Sequence, residues 1–381
     1  MRILHVFPVE DVGGAEQVSL TLMRHRQDPR FEHHAVILAP RPGSLGQALT
    51  AAGVPFTHVA RGRMRHLPAL LRARSGLRHA VRAVAPDWVL ANSPQGFLYA
   101  RLAVPFGLPR VALYYMTVPR PRLLANPALD ILMALARPAM TFTASRRIAD
   151  TLAAWGLPHV EAVHHGAAAP VSHADRRATR DQILRDAGVP PGAPVVLLPG
   201  RLQRWKGQHV LVTAMPQILA RVPEAHAVLL GGSLFGMEPG YPAELRSLAR
   251  RLDVAHRVHL VGHHPVAEWL ERAAVVVHAS IAPDPFPNVC IEALAACRPL
   301  VTTHESGVCE IVESEVHALV VSPNDPGTLA AAVGRVLDDS ALAERLAAAG
   351  LARQRSRATA DLMAARIERA LCTFDATPGA A

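Results

Sequence analysis

The chain is expected to be an α/β protein made of two doubly wound parallel sheets, and three observations predict this. Short apolar runs alternate with stretches of helical periodicity, the alternation restarts after an interruption rich in Ala, Pro and Gly, and 381 residues exceed what one core usually spans. The first set of runs is Arg2 to Phe7, Ala35 to Ala39, Phe56 to Val59, Trp88 to Ala91, Val111 to Tyr114, Met140 to Ala144 and Val160 to His164. Most are nearly continuous in apolar residues, as strands covered on both faces must be. The second set is Val195 to Leu198, Ala227 to Leu230, Val258 to Val261, Val275 to His278, Leu300 to Thr302 and Leu319 to Val321. Between Gly166 and Pro194 lie an Ala- and Pro-rich piece, a charged helical segment (Asp175 to Ala187) and Gly188-Val189-Pro190-Pro191-Gly192. The expected division is therefore a first domain over residues 1–170, a hinge over 171–193, a second domain over 194–357, and a helix with a frayed tail over 358–381. Ligands of such sheets bind beyond the carboxyl ends of the strands, so a cleft between the two domains is the expected site.

Composition narrows the class. Half of the residues are hydrophobic and 4% aromatic, which suits an Ala- and Leu-rich soluble protein. The most apolar long segment, Leu123 to Phe142, contains Asp130, Arg137 and two prolines and so does not read as a membrane span. Ile3 to Val9 is interrupted by His5 and followed by Glu10 and Asp11, unlike an export signal, and a cytoplasmic location is expected. The four cysteines form no C-x-x-C pair, and reduced thiols in the core are expected. Twenty histidines, including three doublets, show no metal-ligand spacing, and no metal is expected.

The net charge of +9 is uneven: residues 1–166 carry 19 basic and 9 acidic groups, whereas the rest carries 21 and 22. No acid stands between Glu32 and Asp87, where Arg61, Arg63, Arg65, Arg72, Arg74, Arg78 and Arg82 accompany Leu67, Leu70, Leu71, Leu77 and Val81. A solvated helix face and contact with an anionic membrane are the two alternatives for Arg61 to Arg82. Nucleic acid is not an expected partner, because aromatic interleaving and recognised binding motifs are absent.

Lys206 is the single lysine among 40 basic residues. It survives in Gly200-Arg201-Leu202-Gln203-Arg204-Trp205-Lys206-Gly207, after the run Pro194 to Pro199 and before a helix marked by Val210, Leu211, Ala214 and Ile218. Chance retention is one account; a need for a compact ammonium at this turn is the other. Two cations at a helix start oppose the helix dipole, and a diphosphate between them would resolve the conflict. As a turn residue, Lys206 is expected to contribute little to stability. In the first domain, Gly13-Gly14-Ala15-Glu16 sits at a comparable strand-to-helix turn, where glycines permit close approach of a ligand.

A third stretch carries two carboxylates eight positions apart. Asp284 lies in the proline-rich loop Pro283-Asp284-Pro285-Phe286-Pro287, and Glu292 lies near the start of a helix that Asn288 is expected to cap. Carboxylates suit vicinal hydroxyls of a sugar or ribose; for Glu292 alone, a first-turn acid favoured by the dipole is the alternative.

This stretch resembles the E-x7-E signature of the retaining glycosyltransferases of family four. Gly200-Arg201 with Lys206-Gly207 is similar to their donor-diphosphate clamp, and Gly13-Gly14-Ala15-Glu16 to their N-terminal glycine loop. Ser306-Gly307 with Glu310-Ile311-Val312, and then Leu319 to Pro326, resemble the downstream pattern in the same order. The resemblance implies the GT-B fold of two Rossmann-like domains, with the nucleotide-sugar donor on the second and the acceptor on the first. It implies a retaining, metal-independent hexosyl or related transfer to a sugar, glycolipid or small-molecule hydroxyl, in bacterial cell-surface polysaccharide or glycolipid synthesis, with no cofactor beyond the donor itself, such as a UDP-sugar. Asp284, Arg201 and Lys206 would be catalytic. Gly13, Gly14, Asn288, Val289 and Glu292 would join them in holding the donor, with Asp284 on sugar hydroxyls and Glu292 on the ribose. No D-x-D triplet is present, in keeping with a diphosphate held without metal.

The sequence departs from the family at four places. Asp284 is one methylene shorter than the usual glutamate, Tyr114-Tyr115-Met116-Thr117 lacks a histidine near the donor sugar, Ser306 replaces a glycine, and His165 replaces an asparagine. An isomerase or hydrolase of nucleotide sugars on the same scaffold, and a noncatalytic partner protein that kept the fold, are the alternative functions.

Overall fold

A computed structural model describes the chain except residues 62–66, 105–106, 108, 118–135, 169–176, 233–236 and 377–381. It forms two compact units: Met1–Gly166 together with Ala360–Ala381, and Ala167–Thr359.

The first unit contains a seven-stranded parallel sheet of β1 (Arg2–Phe7), β2 (Glu32–Ala39), β3 (Phe56–Ala60), β4 (Trp88–Ala91), β5 (Arg110–Tyr115), β6 (Met140–Thr143) and β7 (Val160–Ala162), in the order β3-β2-β1-β4-β5-β6-β7. Alternate residues of β1 serve opposite faces. Leu4 and Val6 pack with Leu77, Phe97 and Tyr99, whereas Ile3 packs with Val18, Trp88 and the final helix. That helix, Ala360–Ala376, brings Met363, Ile367, Leu371 and Phe374 into the first unit's core. Its Glu368 accepts from the backbone N–H groups of Gln27 and Asp28 at 2.9 and 3.0 Å.

The second unit contains a six-stranded parallel sheet of β8 (Val195–Pro199), β9 (His226–Leu230), β10 (Val258–Gly262), β11 (Ala273–His278), β12 (Leu300–Thr303) and β13 (Leu319–Val321), ordered β10-β9-β8-β11-β12-β13. Its core joins Val196, Leu198, Val275 and Val277 to Leu211, Met215 and Ile218 of the helix Gln208–Arg221. Strand order reverses between β1 and β4 in the first sheet and between β8 and β11 in the second. At these switch points the connections leave toward opposite sides and open a crevice at the strand ends.

Two local expectations change. Among the thiols only Cys290 is buried; Cys297, in a left-handed turn (φ 54°) just past a helix end, is exposed, and all four are free. The arginine-rich stretch is helical over Leu67–Val84. Arg61, however, is no part of a solvated face, because its guanidinium donates to the carbonyls of Leu38 and Pro8 at 2.5 and 2.6 Å and to the Tyr99 hydroxyl at 3.2 Å. Arg63 and Arg65 lie outside the described residues. Arg72 and Arg82 are exposed, Leu71 is 50% exposed, and Arg74 donates to the Leu102 carbonyl at 2.9 Å. No helix of the described residues is long and apolar enough to cross a membrane.

The connection after β8 ends at Gly207, which has φ 73° and packs against Ala279 just beyond β11. A Cβ there would stand 1.9 Å from the Ala279 carbonyl oxygen. Gly207→Ala therefore combines backbone strain with a collision against main chain. It should lower the unfolding midpoint by roughly 4–8 °C, corresponding to about 2 kcal/mol. Gly232→Ala, with nothing within 4 Å of the added Cβ, serves as the control and should leave the thermal melt unchanged.

Candidate active site

Two connections meet at the switch point of the second sheet. After β8 the chain passes Gly200 and Arg201, makes one 3₁₀ turn at Arg204–Lys206, and enters the helix Gln208–Arg221 through Gly207. The Gln208 side chain braces the turn by donating to the Arg201 carbonyl at 2.7 Å. After β11 the chain passes Ala279 and Ser280 to Asp284, and the two turns are joined where the Ile281 N–H donates to the Trp205 carbonyl at 2.8 Å.

Asp284 is fixed at the backbone as well. Its N–H donates to the Glu305 carbonyl at 3.1 Å, and its carbonyl accepts from the Gly307 N–H at 2.8 Å. Gly307 is required by proximity, since a Cβ would lie 1.7 Å from the Pro285 oxygen. Ser306, in place of the family's glycine, caps the short turn that follows by accepting from the Val308 N–H at 3.4 Å.

The side chains converge on one oxygen. Lys206 Nζ stands 2.5 Å from Asp284 Oδ2, His278 Nε2 stands 2.9 Å from it, and the Ser280 hydroxyl 3.2 Å. His278 Nδ1 lies 3.0 Å from Thr302 Oγ1, its register partner on β12, so the consistent tautomer donates from Nε2 to Asp284 and accepts from Thr302. Burial alone would raise the Asp284 pKa, but the Lys206 ammonium and the His278 hydrogen bond override it and hold the carboxyl well below its usual range. Burial lowers the pKa of His278 below its usual value, partly offset by Asp284, which leaves the imidazole neutral. Lys206 Nζ also stands 4.1 Å from the centre of the Trp205 ring, a cation–π contact that steers the flexible stem.

The expectation that Lys206 is a stability-neutral turn residue is overturned. Its side chain is only 16% exposed and Asp284's only 7%, so each is the counter-charge of a group withdrawn from water. By contrast, the Arg201 guanidinium forms no ion pair among the described residues.

Asn288 does not cap the following helix. Pro287, extended at φ −66° and ψ 122°, holds the cap position, and the helix runs Asn288–Ala295 with Asn288 as its first residue and Val289 beside it. Glu292 consequently lies in the second turn, and burial pushes its pKa up to about 7. Gly13 and Gly14 flank the start of the helix Gly14–Arg24, where the Gly13 N–H is taken by Glu16 Oε2 at 3.0 Å. The second unit thus brings Arg201, Lys206, Asp284, Asn288, Val289 and Glu292 onto the two connections leaving β8 and β11, while Gly13 and Gly14 belong to the first unit. Trp205, His278, Ser280 and Thr302 were given no role from sequence, although a histidine closing a strand just before the acidic loop was a usable signal. No cluster of potential metal ligands occurs among the described residues.

A doubly wound parallel sheet in each unit is the architecture of the GT-B fold, and the second switch point carries a lysine–carboxylate pair. The model for glycosyl transferases group 1 matches residues 179–353, and that for Glycosyltransferase Family 4 matches residues 12–168. The chain belongs to the family-4-type GT-B glycosyltransferases.

Its relatives include the D-inositol 3-phosphate glycosyltransferase 2 of Catenulispora acidiphila, 35% identical over 170 residues that cover 43% of this chain and 39% of the relative. A D-inositol 3-phosphate glycosyltransferase of Streptomyces griseus is 33% identical over 193 residues, covering 47% and 41%. The matches thus span about two fifths of these relatives' lengths. The fold is that of Anabaena Alr3699/HepE, solved in complex with UDP-glucose, with a TM-score of 0.83 at 22% identity over 98% of this chain and 100% of that one.

Removing one member of the buried pair should destabilise the protein more than removing both. Lys206→Ala is expected to cost about 3 kcal/mol in chemical denaturation at pH 7 by stranding the carboxylate. Adding Asp284→Asn should recover part of that loss, a coupling that unlinked surface residues would not show.

Proposed function

We propose that this protein transfers a sugar from a nucleotide-diphosphate sugar to a hydroxyl acceptor with retention of anomeric configuration. The observation that supports it most directly is the meeting of Lys206 and Asp284 at the second switch point, with Arg201 on the same turn. As the bond from the anomeric carbon to the diphosphate breaks, negative charge grows on the departing oxygen. Arg201 and Lys206 supply the compensating charge in a partly desolvated setting, where it counts most. The new bond to the acceptor oxygen forms on the face the diphosphate leaves, and the acceptor proton passes to a phosphate oxygen. Asp284 holds a hydroxyl of the transferred sugar, Glu292 the ribose, and the N–H groups of Asn288 and Val289 the diphosphate or sugar. The proposed chemistry uses no metal or other cofactor. The first unit takes the acceptor, and Gly13 and Gly14, at the start of the helix Gly14–Arg24, serve the donor.

Uridine diphosphate and UDP-glucose are the first probes, because a structural neighbour is complexed with UDP-glucose. A ligand at 100 times its dissociation constant should stabilise the protein by about 2.7 kcal/mol in a thermal shift. Lys206→Ala and Lys206→Arg should both lose turnover, by roughly 100-fold or more for the alanine. An arginine variant as active as the wild type would exclude a specific need for the ammonium.

Asp284→Asn and Glu292→Gln should differ in kind. Asp284→Asn should lower turnover, whereas Glu292→Gln should chiefly weaken nucleotide binding, since ribose contacts are the same in ground and transition states. With its pKa near 7, Glu292 accepts hydroxyl donors best when ionised. Wild-type affinity for a nucleoside diphosphate should therefore rise with pH through about 7 and level off above it. Calorimetric titration of Glu292→Gln, which controls for the phosphate's own titration, should lack that increment.

We further propose that a lipid-linked acceptor is reached at the inner face of an anionic membrane, supported by the exposed Arg72, Arg82 and Leu71 of the helix Leu67–Val84. Each arginine near the surface adds on the order of 1 kcal/mol, screened by salt. Co-sedimentation should show binding to anionic vesicles that salt abolishes and none to zwitterionic ones; equal, negligible binding to both at low salt would mark a solvated face.

A further inference from the structure

Asp284 Oδ2 receives three donors from three different segments: Lys206 before a helix, His278 at the end of β11, and Ser280 in the following loop. A carboxylate oxygen offers about two lone pairs, so this atom is saturated before any ligand arrives. The described hydrogen bonds to the side chain leave Oδ1 unused.

His278 is 3% exposed and is itself held on both sides, by Thr302 through Nδ1 and by Asp284 and Ser280 at Nε2. Thr302 and Ser280 are fully buried, and Ser280's carbonyl accepts from Thr303 Oγ1 at 2.9 Å. The short aspartate side chain is therefore oriented from behind by the sheet, through a file of contacts running from β12 to β11 to the loop.

We propose that His278 is a positioning residue of the donor site: it fixes the Asp284 carboxylate with Oδ2 committed to Lys206, so that a single oxygen, Oδ1, recognises a single hydroxyl of the transferred sugar. This rests on the donor reading given above. A glutamate or a free aspartate could chelate two vicinal hydroxyls with its two oxygens. Here a second hydroxyl could bind only by displacing Lys206, His278 or Ser280. His278 never touches the substrate; it acts through Asp284.

The test uses His278→Gln, whose amide can donate where Nε2–H does, and His278→Leu, which cannot. Each is compared for folding by circular dichroism and thermal melting. Turnover is measured with UDP-glucose and with its deoxy analogues, each lacking one sugar hydroxyl. In the wild type one analogue should be disfavoured through Asp284. In His278→Leu kcat should fall about 10- to 100-fold, and discrimination should vanish at that one position while the others are unchanged. His278→Gln should retain most of both. A uniform slowing of all analogues in His278→Leu, or equal losses in the two variants, would overturn the positioning role.

A second readout is independent of activity. Because Lys206 is the only lysine, [13Cε]lysine labelling yields one side-chain resonance for the whole protein. It should move in Asp284→Asn and in His278→Leu but not in His278→Gln. An unmoved resonance in folded His278→Leu sinks the network. If no nucleotide sugar is turned over while the resonance behaves as expected, the donor reading fails and the fixed Lys206–Asp284–His278 arrangement stands.

Discussion

The ion pair between Lys206 and Asp284, at 2.5 Å and largely out of water, is the constraint on which the second unit's site depends. Withdrawing either charge alone from solvent is unfavourable by several kcal/mol, so the pair forms only where the fold presents both together. Parallel neighbours β8 and β11 send their following connections to the same end of the sheet, and the switch in strand order leaves room between them. The Trp205 carbonyl to Ile281 N–H bond and the contact of Gly207 with Ala279 then draw the two turns together. Gly307 lets a third connection, after β12, lie against Pro285 and close the Asp284 loop from the far side. Three backbone contacts thus fix what one side-chain pair exploits.

The strands were legible because a parallel strand covered on both faces must be apolar throughout, and runs such as Val195 to Leu198 and Val275 to His278 have few competing readings. The turn at Lys206 was legible from its lone lysine and flanking glycine. The pairing of Lys206 with Asp284 was not: the two residues are separated by β9, β10, β11 and the intervening helices, and only strand order makes them neighbours. Arg61 was grouped with a basic face by proximity in sequence, yet three acceptors in the interior of its unit claim it. Asn288 looked like a helix cap on residue type; Pro287, with its fixed φ, took that position one residue earlier. His278 closes its strand just before the acidic loop, which makes it a candidate, but only the fold decides whether such a ring faces solvent or a carboxylate.

Retention of a lysine in an arginine-rich chain now has a physical account. The ammonium sits 4.1 Å from the Trp205 ring centre and within hydrogen-bonding distance of a carboxylate oxygen that also meets His278 and Ser280. A planar guanidinium needs a wider acceptor face, and the crowded Oδ2 does not offer one. Lys206 is thus both the anchor of Asp284 and, in the proposed chemistry, a counter-charge of the leaving group. These roles make different demands: the first favours a group that stays put, the second one that can turn toward a new anion. A three-donor ammonium on a flexible stem can keep one hydrogen bond to Asp284 while offering others to a phosphate.

The same geometry limits how much charge the site can bring to a diphosphate. Lys206 is already balanced by Asp284, and Arg204 on the same turn by Glu244, so the unpaired positive charge on the two turns comes from Arg201. The remainder must be met by dipoles, and both connections lead into helices, Gln208–Arg221 and Asn288–Ala295, whose first turns present backbone N–H groups. Pro287 at the cap of the second helix leaves no capping side chain to occupy those groups. In the proposed reaction the charge that builds on the leaving diphosphate is therefore shared between one guanidinium, one shared ammonium and two helix termini.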